Sequence, residues 1–344
     1  MPDGTLRTVG ALIGAGLLTE TDREAAGRVA TRYAVAVPNG FAALIEHRDD
    51  PIGRQVLPHA DELETAAHEQ ADPVGDQAHS PLRGVVHRYA DRVLITPLFM
   101  CPLYCRFCFR REQVGPGGGV LGAAELAAAL DYVRARPAIR EVILTGGDPL
   151  LLSPRRLTAL LGEIEAIPHV ETLRIHSRVP VASPELVTEA LAGALTTEKP
   201  LWLVLHANHA RELTEDARAA LRRIQRQGVP VLGQSVLLRG VNDSEAALED
   251  LFRAMLRSRI KPYYLHHLDP APGTARFAVP IAEGQTLLAG LRGRMTGLAW
   301  PTYVLDIPGG HGKVPIGPAY LGGDGTIRDP AGGVHVLAGP PVSR

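Results

Sequence analysis

Cysteine is scarce in this chain: three occur in 344 residues, Cys101, Cys105 and Cys108. An odd number crowded into so short a stretch excludes a disulfide framework and leaves a ligand group or an accident as explanations. No excess of one charge exists either, with 36 Lys and Arg against 37 Asp and Glu. Without a basic field there is nothing to hold nucleic acid or an anionic membrane by counterion release. Long apolar runs are missing too. The opening MPDGTLRTVGALIGAGLLTETD has only a short apolar stretch, acidic residues soon after it, and no small-residue cleavage pattern behind a basic region, so a cytoplasmic protein is expected. What is present is ordinary globular material, 45% hydrophobic and 21% charged, sufficient for one large core or two modest ones and fitting a small-molecule substrate.

The pattern divides the chain into a helical N-terminal extension over 1–80, a central part over 81–300 and a C-terminal segment over 301–344. From Arg92 onward, apolar runs rich in β-branched residues alternate with apolar-periodic stretches. The predicted strands are 93–96, 141–145, 172–176, 201–205, 230–238 and 262–267, with a further short one at 302–306. The predicted helices are 123–136, 153–167, 183–195, 214–228, 244–258 and 283–295, four of them opened by a Ser or Thr placed to cap. Near-continuous apolar strands suit burial on both faces. Consecutive βα units with right-handed crossovers give an α/β fold, a parallel sheet curled into a partial (βα)6 barrel with ligands at the C-terminal ends of its strands. The tail after about Pro330 is rich in Gly and Pro and is expected to be loosely attached.

The cysteines stand in CPLYCRFCFRR, a C-x3-C-x2-C spacing directly after the first predicted strand, hence on a loop at the barrel mouth. Three thiolates can ligate three irons of a [4Fe-4S] cluster, leaving one iron open for an amino acid that chelates through its nitrogen and carboxylate. A zinc site completed by His87, or three unrelated buried cysteines, are the alternatives. One βα unit later comes TGGDPL, where Gly146 and Gly147 permit close backbone approach and Asp148 offers a carboxylate at a strand end.

The cysteine motif resembles that of the radical S-adenosylmethionine (SAM) superfamily, and Gly146, Gly147 and Asp148 resemble its motif for the methionyl amino group. From His87 to Pro318, the segments HRYADRVLITPLFMCPLYCRFCFRR, LTGGDPLLL, LRIHSRVPV, LVLHANHARELT, GQSVLLRGVND, KPYYLHHLDPAPGTARF and YVLDIPGGHGKVP together resemble the lysine 2,3-aminomutase family. The resemblance implies an isomerase with three cofactors: the cluster, SAM and pyridoxal 5′-phosphate (PLP). It gives Lys313 the Schiff base, Arg88 and Arg92 the cofactor phosphate, and Arg110 the substrate carboxylate. Asp269 and Asp306 match the positions that meet a lysine ε-ammonium, and Ser177, His206 and Gln234 are assigned to the SAM pocket.

The activity so implied converts L-lysine to β-lysine. A 5′-deoxyadenosyl radical takes hydrogen from C3 of the lysine held as a PLP external aldimine, and the amino group migrates from C2 to C3. The partners expected are the amino acid, an electron donor of flavodoxin or ferredoxin type, and a second copy of the chain where it assembles as a homo-oligomer; no nucleic acid and no membrane are expected. A mutase for arginine or ornithine, a supplier of β-lysine for elongation factor P, and a non-catalytic iron–sulfur module remain open, whereas two aspartates argue against glutamate. With no cysteine after Cys108, a cysteine-ligated zinc site near the C-terminus cannot form, and His311 stands where the family has glycine.

Overall fold

The computed structural model describes residues 4–115, 117–322 and 325–336. The N-terminal part contains short helices, α1 (Val9–Gly14), α2 (Arg23–Arg32), α3 (Asn39–Ala42) and α4 (Gly53–Val56), joined by 3-10 turns. They share a small core of Leu12, Val29, Phe41, Ile52 and Val56, against which Leu103 from the cysteine loop packs. The extension is thus attached to the loop that carries the cysteines.

Nine strands then form one sheet in sequence order: β1 (Val85–Tyr89), β2 (Arg92–Ile95), β3 (Glu141–Leu144), β4 (Thr172–Ser177), β5 (Leu201–His206), β6 (Val231–Val236), β7 (Ile260–His266), β8 (Thr302–Ile307) and β9 (Gly312–Pro315). Strands β2 to β8 pair in parallel, and β1 and β9 add antiparallel edges. The crossovers carry α5 (Ala123–Arg134), α6 (Pro154–Glu165), α7 (Val179–Ala182), α8 (Glu189–Gly193), α9 (Glu215–Arg226), α10 (Glu245–Arg257) and α11 (Ile281–Gly290). Each long helix is amphipathic for a legible reason. In α6, Leu157, Leu160, Leu161 and Ile164 repeat at the 3.6-residue period and are buried against the sheet, so truncating one to Ala costs about 2–5 kcal/mol.

Opposite edges of the sheet meet. The Tyr89 hydroxyl on β1 accepts from the Lys313 backbone N–H on β9 at 2.7 Å, and Arg88 on β1 reaches Asp306 on β8 at 3.4 Å. First and last strands can touch only if the sheet curls round, giving a near-closed partial barrel.

Three expectations change. The helix expected at 183–195 is broken: Ser183 makes no side-chain cap, Pro184–Leu186 is a 3-10 turn, and Thr188 restarts the chain as α8 by accepting from the Leu191 N–H. Ser153, Thr214 and Ser244 do cap as expected. Lys313, expected in a Gly-rich loop, lies on β9, because a tight turn after β8 folds the chain back as an antiparallel edge. In the tail, β10 (Thr326–Arg328) and β11 (Val334–Val336) form a separate hairpin; residues 337–344 lie outside the described residues. No described helix is long and apolar enough to cross a membrane.

Candidate active site

Side chains directly paired across a sheet share a face, and so do residues two apart on one strand. His176 is paired with Val204, His206 with Gln234, and Gln234 with Tyr264. Val236 is paired with His266, His266 with Val304, and Asp306 with Lys313. One face of the sheet therefore carries His176, His206, Gln234, Tyr264, His266, Asp306 and Lys313, while Leu173, Ile175, Leu203, Leu205 and Val231 on the other face are buried with the helices. The near-continuous apolar runs predicted for these strands hold only for the helix side. The barrel interior is polar, as a site rather than a packed core requires.

The cysteines follow β2 on an irregular loop whose shape is imposed from the N-terminal extension. Arg106, between two of them, is fully buried and donates to Glu62 with Nε at 2.9 Å and Nη2 at 2.5 Å, and its N–H donates to the Gln55 carbonyl at 2.7 Å. Arg111 pairs with the same Glu62 carboxylate. The three cysteines are half-buried residues, and burial pushes the Cys101 thiol well up and the Cys108 thiol to about 11, their neighbouring sulfurs adding to the effect. Among the described residues no three His, Cys, Asp or Glu side chains converge as on one metal ion, whereas a four-iron cluster spreads its thiolates over separate irons. His87, the candidate fourth zinc ligand, turns instead to α5, where its Nδ1 lies 3.0 Å from the Tyr132 hydroxyl.

Gly146 and Gly147 serve this loop directly. A Cβ on Gly146, whose φ is +102°, would overlap Thr96, and one on Gly147 would overlap the Met100 backbone. The N–H of Gly147 donates to Leu98 and that of Asp148 to Met100, at 3.0 and 2.8 Å. Asp148 differs from expectation: its carboxylate accepts from Ser177 Oγ at 2.8 Å and from the N–H groups of Arg178, Val179 and Leu150 at 2.7, 3.0 and 3.1 Å. The aspartate and Ser177 tie β3 to the end of β4 and are saturated inside the protein.

Where the two edges of the sheet meet, Lys313 Nζ donates to Asp306 Oδ2 at 2.5 Å and lies 3.1 Å from His266 Nδ1 and 5.5 Å from the Tyr264 ring centre. Asp306 also faces Arg88, and Arg88 Nη2 donates to Asp76 at 2.9 Å. The other oxygen of Asp76 accepts from Arg110 at 2.7 Å. Asp76 is carried by a turn of the N-terminal part that leads into a 3-10 turn at Gln77–His79 and lies on the Lys313 hairpin: a Cβ on Gly75 would overlap Gly310, and His79 Nε2 is 3.2 Å from the Gly310 carbonyl. The arginine expected to hold the substrate carboxylate, the one expected at the phosphate, and the lysine and aspartate of the C-terminal hairpin thus form one chain of charges. Burial and the neighbouring Asp306 push Asp269 up to about 7. Burial takes His206 down to about 4 and His176 and His266 well below the usual histidine range, so all three imidazoles are neutral. Arg92 is paired with Asp91 at 2.8 Å and stacked on the ring of Tyr89, the residue whose hydroxyl meets the Lys313 N–H, at 3.8 Å.

The residues fit the implied cofactors on one independent observation. Nε2 of His176, His206 and His266 and Nε of Arg88 are buried without a partner, and buried polar atoms normally have one. Polar occupants in the barrel would supply it. Reading the sequence missed Asp76, His176, His266, Glu62 and the role of Arg178; Arg106 between two cysteines and Arg111 just past the last were the available signal for a buried counter-carboxylate.

This partial barrel, with its cysteine loop at the mouth, is that of a radical SAM enzyme: the family model described as "Radical SAM superfamily" matches residues 95–252, and a second, described as "Lysine-2,3-aminomutase", matches 288–327. The chain is 38% identical to the L-lysine 2,3-aminomutase of Clostridium subterminale, over 88% of this chain and 74% of that protein. It is 39% identical to the L-lysine 2,3-aminomutase of Escherichia coli strain K12, over 85% and 86% of the two. Similarity extends to the glutamate 2,3-aminomutase of Clostridioides difficile strain 630, at 33% identity over 90% and 74%. The chain belongs to the lysine 2,3-aminomutase family, isomerases whose cofactors are a four-iron cluster, SAM and PLP.

Proposed function

We propose that the protein is an L-lysine 2,3-aminomutase, converting L-lysine to β-lysine. The observation that carries this reading is that an ammonium already sits on one of the two carboxylates, Lys313 Nζ donating to Asp306 Oδ2 at 2.5 Å, with Asp269 near enough for the Asp306 charge to push it up. Two converging carboxylates accept a cationic side chain and repel an anionic one, which separates lysine from the glutamate of the similar enzyme.

In this reading Cys101, Cys105 and Cys108 hold the cluster, with Gly146, Gly147 and Gln234 beside the SAM site and the neutral His206 offering its unpartnered Nε2 there. Lys313 attaches PLP, and Arg88 and Arg92 meet the phosphate. When bound, the reduced cluster with SAM supplies a carbon radical that removes hydrogen, and PLP supplies the conjugated system across which nitrogen migrates. The chain's own work is placement. Arg110 fixes the substrate carboxylate as a fork of donors, Asp306 and Asp269 fix the far ammonium, and the reacting carbons are thereby held between the two ends. Lys313 Nζ is oriented by its hydrogen bond to Asp306 and by the neutral His266, whose Nδ1 lies 3.1 Å away as an acceptor. An electron donor of flavodoxin or ferredoxin type supplies the reducing electron.

Competition tests the substrate. With equimolar lysine, arginine, ornithine and glutamate under anaerobic reducing conditions, the β-isomer of lysine should dominate the products. Dominance of β-glutamate, or of β-arginine, would overturn the assignment.

A further inference from the structure

One buried cation at the cysteine loop is not used by any step above. Arg178, at the end of β4, donates from Nη1 to Cys105 Sγ at 2.6 Å. Its other terminal nitrogen donates to Gln55 Oε1 at 2.6 Å and to Glu212 Oε2 at 2.9 Å, and its backbone N–H donates to Asp148. Glu212 is held in turn by the N–H groups of Asn208 and His209 at 2.9 and 3.0 Å and by Gln55 Nε2 at 3.1 Å. Arg178 is 6% exposed and Gln55 and Glu212 are fully buried, so water screens none of these charges. The rings of Phe41 and Phe107 lie 5.4 and 5.8 Å from the guanidinium carbon. Three segments distant in sequence therefore converge to aim one guanidinium at one sulfur.

We propose that Arg178 is a positioning residue that sets the reduction potential of the cluster through the sulfur of Cys105. The sulfur in the structure stands for the same atom bonded to iron, which keeps lone pairs to accept an N–H. Reduction adds one negative charge to the cluster, shared with its sulfurs, and hydrogen bonds and charge at those sulfurs are a principal control on potential. Glu212 lies on the far side of the guanidinium from Cys105, so the pair presents its positive end to the cluster. That polarity favours the reduced state in a pocket of low dielectric and raises the potential above what the cysteines alone would give. The same residue, bonded to Cys105 through its side chain and to Asp148 through its backbone N–H, ties the cluster loop to the ends of β3 and β4.

The proposal makes predictions of opposite sign. Arg178→Gln removes the charge, and the cluster midpoint should move to more negative potential. Glu212→Gln keeps its acceptor oxygen for Asn208 and His209 but removes the opposing charge, and the midpoint should move to more positive potential. Both are read on the reconstituted holoenzyme by anaerobic redox titration with electron paramagnetic resonance of the reduced cluster, without substrate. An unchanged midpoint in a cluster-loaded Arg178→Gln protein would overturn the proposal. If that variant fails to retain iron, Glu212→Gln decides alone: a positive shift supports the role of Arg178, and no shift or a negative one contradicts it. Because the readout needs neither PLP nor lysine, it is independent of the substrate assignment.

Discussion

Lys313 Nζ lies 2.5 Å from Asp306 Oδ2 on the neighbouring strand, so the protein's own ammonium occupies a carboxylate assigned to the substrate's. Under the proposed function, one lysine stands in for the other until PLP takes Lys313 away. Borohydride reduction of the PLP-loaded protein should fix a pyridoxyl mass on the peptide containing Lys313, and Lys313→Arg should abolish it. Asp306→Asn, which leaves a buried ammonium with a weaker partner, should lower kcat/KM for lysine about a hundredfold or more, as expected when a buried charge pair is broken.

Asp269 gives the site a pH dependence. In the free protein its carboxyl is pushed up to about 7 by burial and Asp306. Below that pH a bound ε-ammonium must first expel the proton, so KM for lysine should rise as pH falls from 8 to 6, approaching tenfold per unit once below 7. The stability effect has the opposite sense. A folded-state value above the ordinary 3.8 means the folded protein binds the proton more tightly, so stability falls as pH rises from 3.8 to 7 and the full cost persists above. At 1.36 kcal/mol per unit this cost is on the order of 4 kcal/mol. Asp269→Asn, measured without lysine, should therefore raise Tm at pH 8 and have little effect at pH 4, while losing activity. A lower Tm at pH 8 would show that the carboxylate is instead stabilised by its surroundings.

Asp76 holds Arg88 and Arg110 at once, at 2.9 and 2.7 Å. Without it both guanidinium groups lose their common fixed point, and misplacement of a positioning group by about 1 Å can cost on the order of a hundredfold in rate. Asp76→Asn should lower kcat/KM for lysine by about ten- to a hundredfold while iron content and SAM binding are unchanged. Loss of iron along with activity would place its role in the cluster loop.

Glu62 is fully buried and pairs with both Arg106 and Arg111. Removing one member of such a group strands the others, at about 3–5 kcal/mol. Glu62→Ala should lower the denaturation midpoint accordingly and release the Cys101–Cys108 loop, seen as reduced iron per chain after reconstitution.

The sheet was legible because its strands and helices differ in hydrophobic period, and the cysteine loop because its spacing is unusual. Lys313 and Asp306 could be singled out but not paired, since the antiparallel return of β9 depends on a turn of four residues, Pro308 to His311, that carry no periodic signal. Asp76 was hidden for a different reason. It sits in a polar segment some 30 residues before Arg110, and only the packing of Gly75 on Gly310 brings that segment over the barrel. Asp148 illustrates the reverse: the motif marked an important residue, but its four internal donors assign it to holding the mouth together.

The most direct measurement is an anaerobic reaction of the reconstituted protein with L-lysine, SAM, PLP and dithionite, followed by mass detection of β-lysine and 5′-deoxyadenosine. The account predicts β-lysine from the wild type and little from Asp306→Ala. Formation of 5′-deoxyadenosine with no β-lysine would contradict lysine as the substrate while leaving the radical chemistry in place.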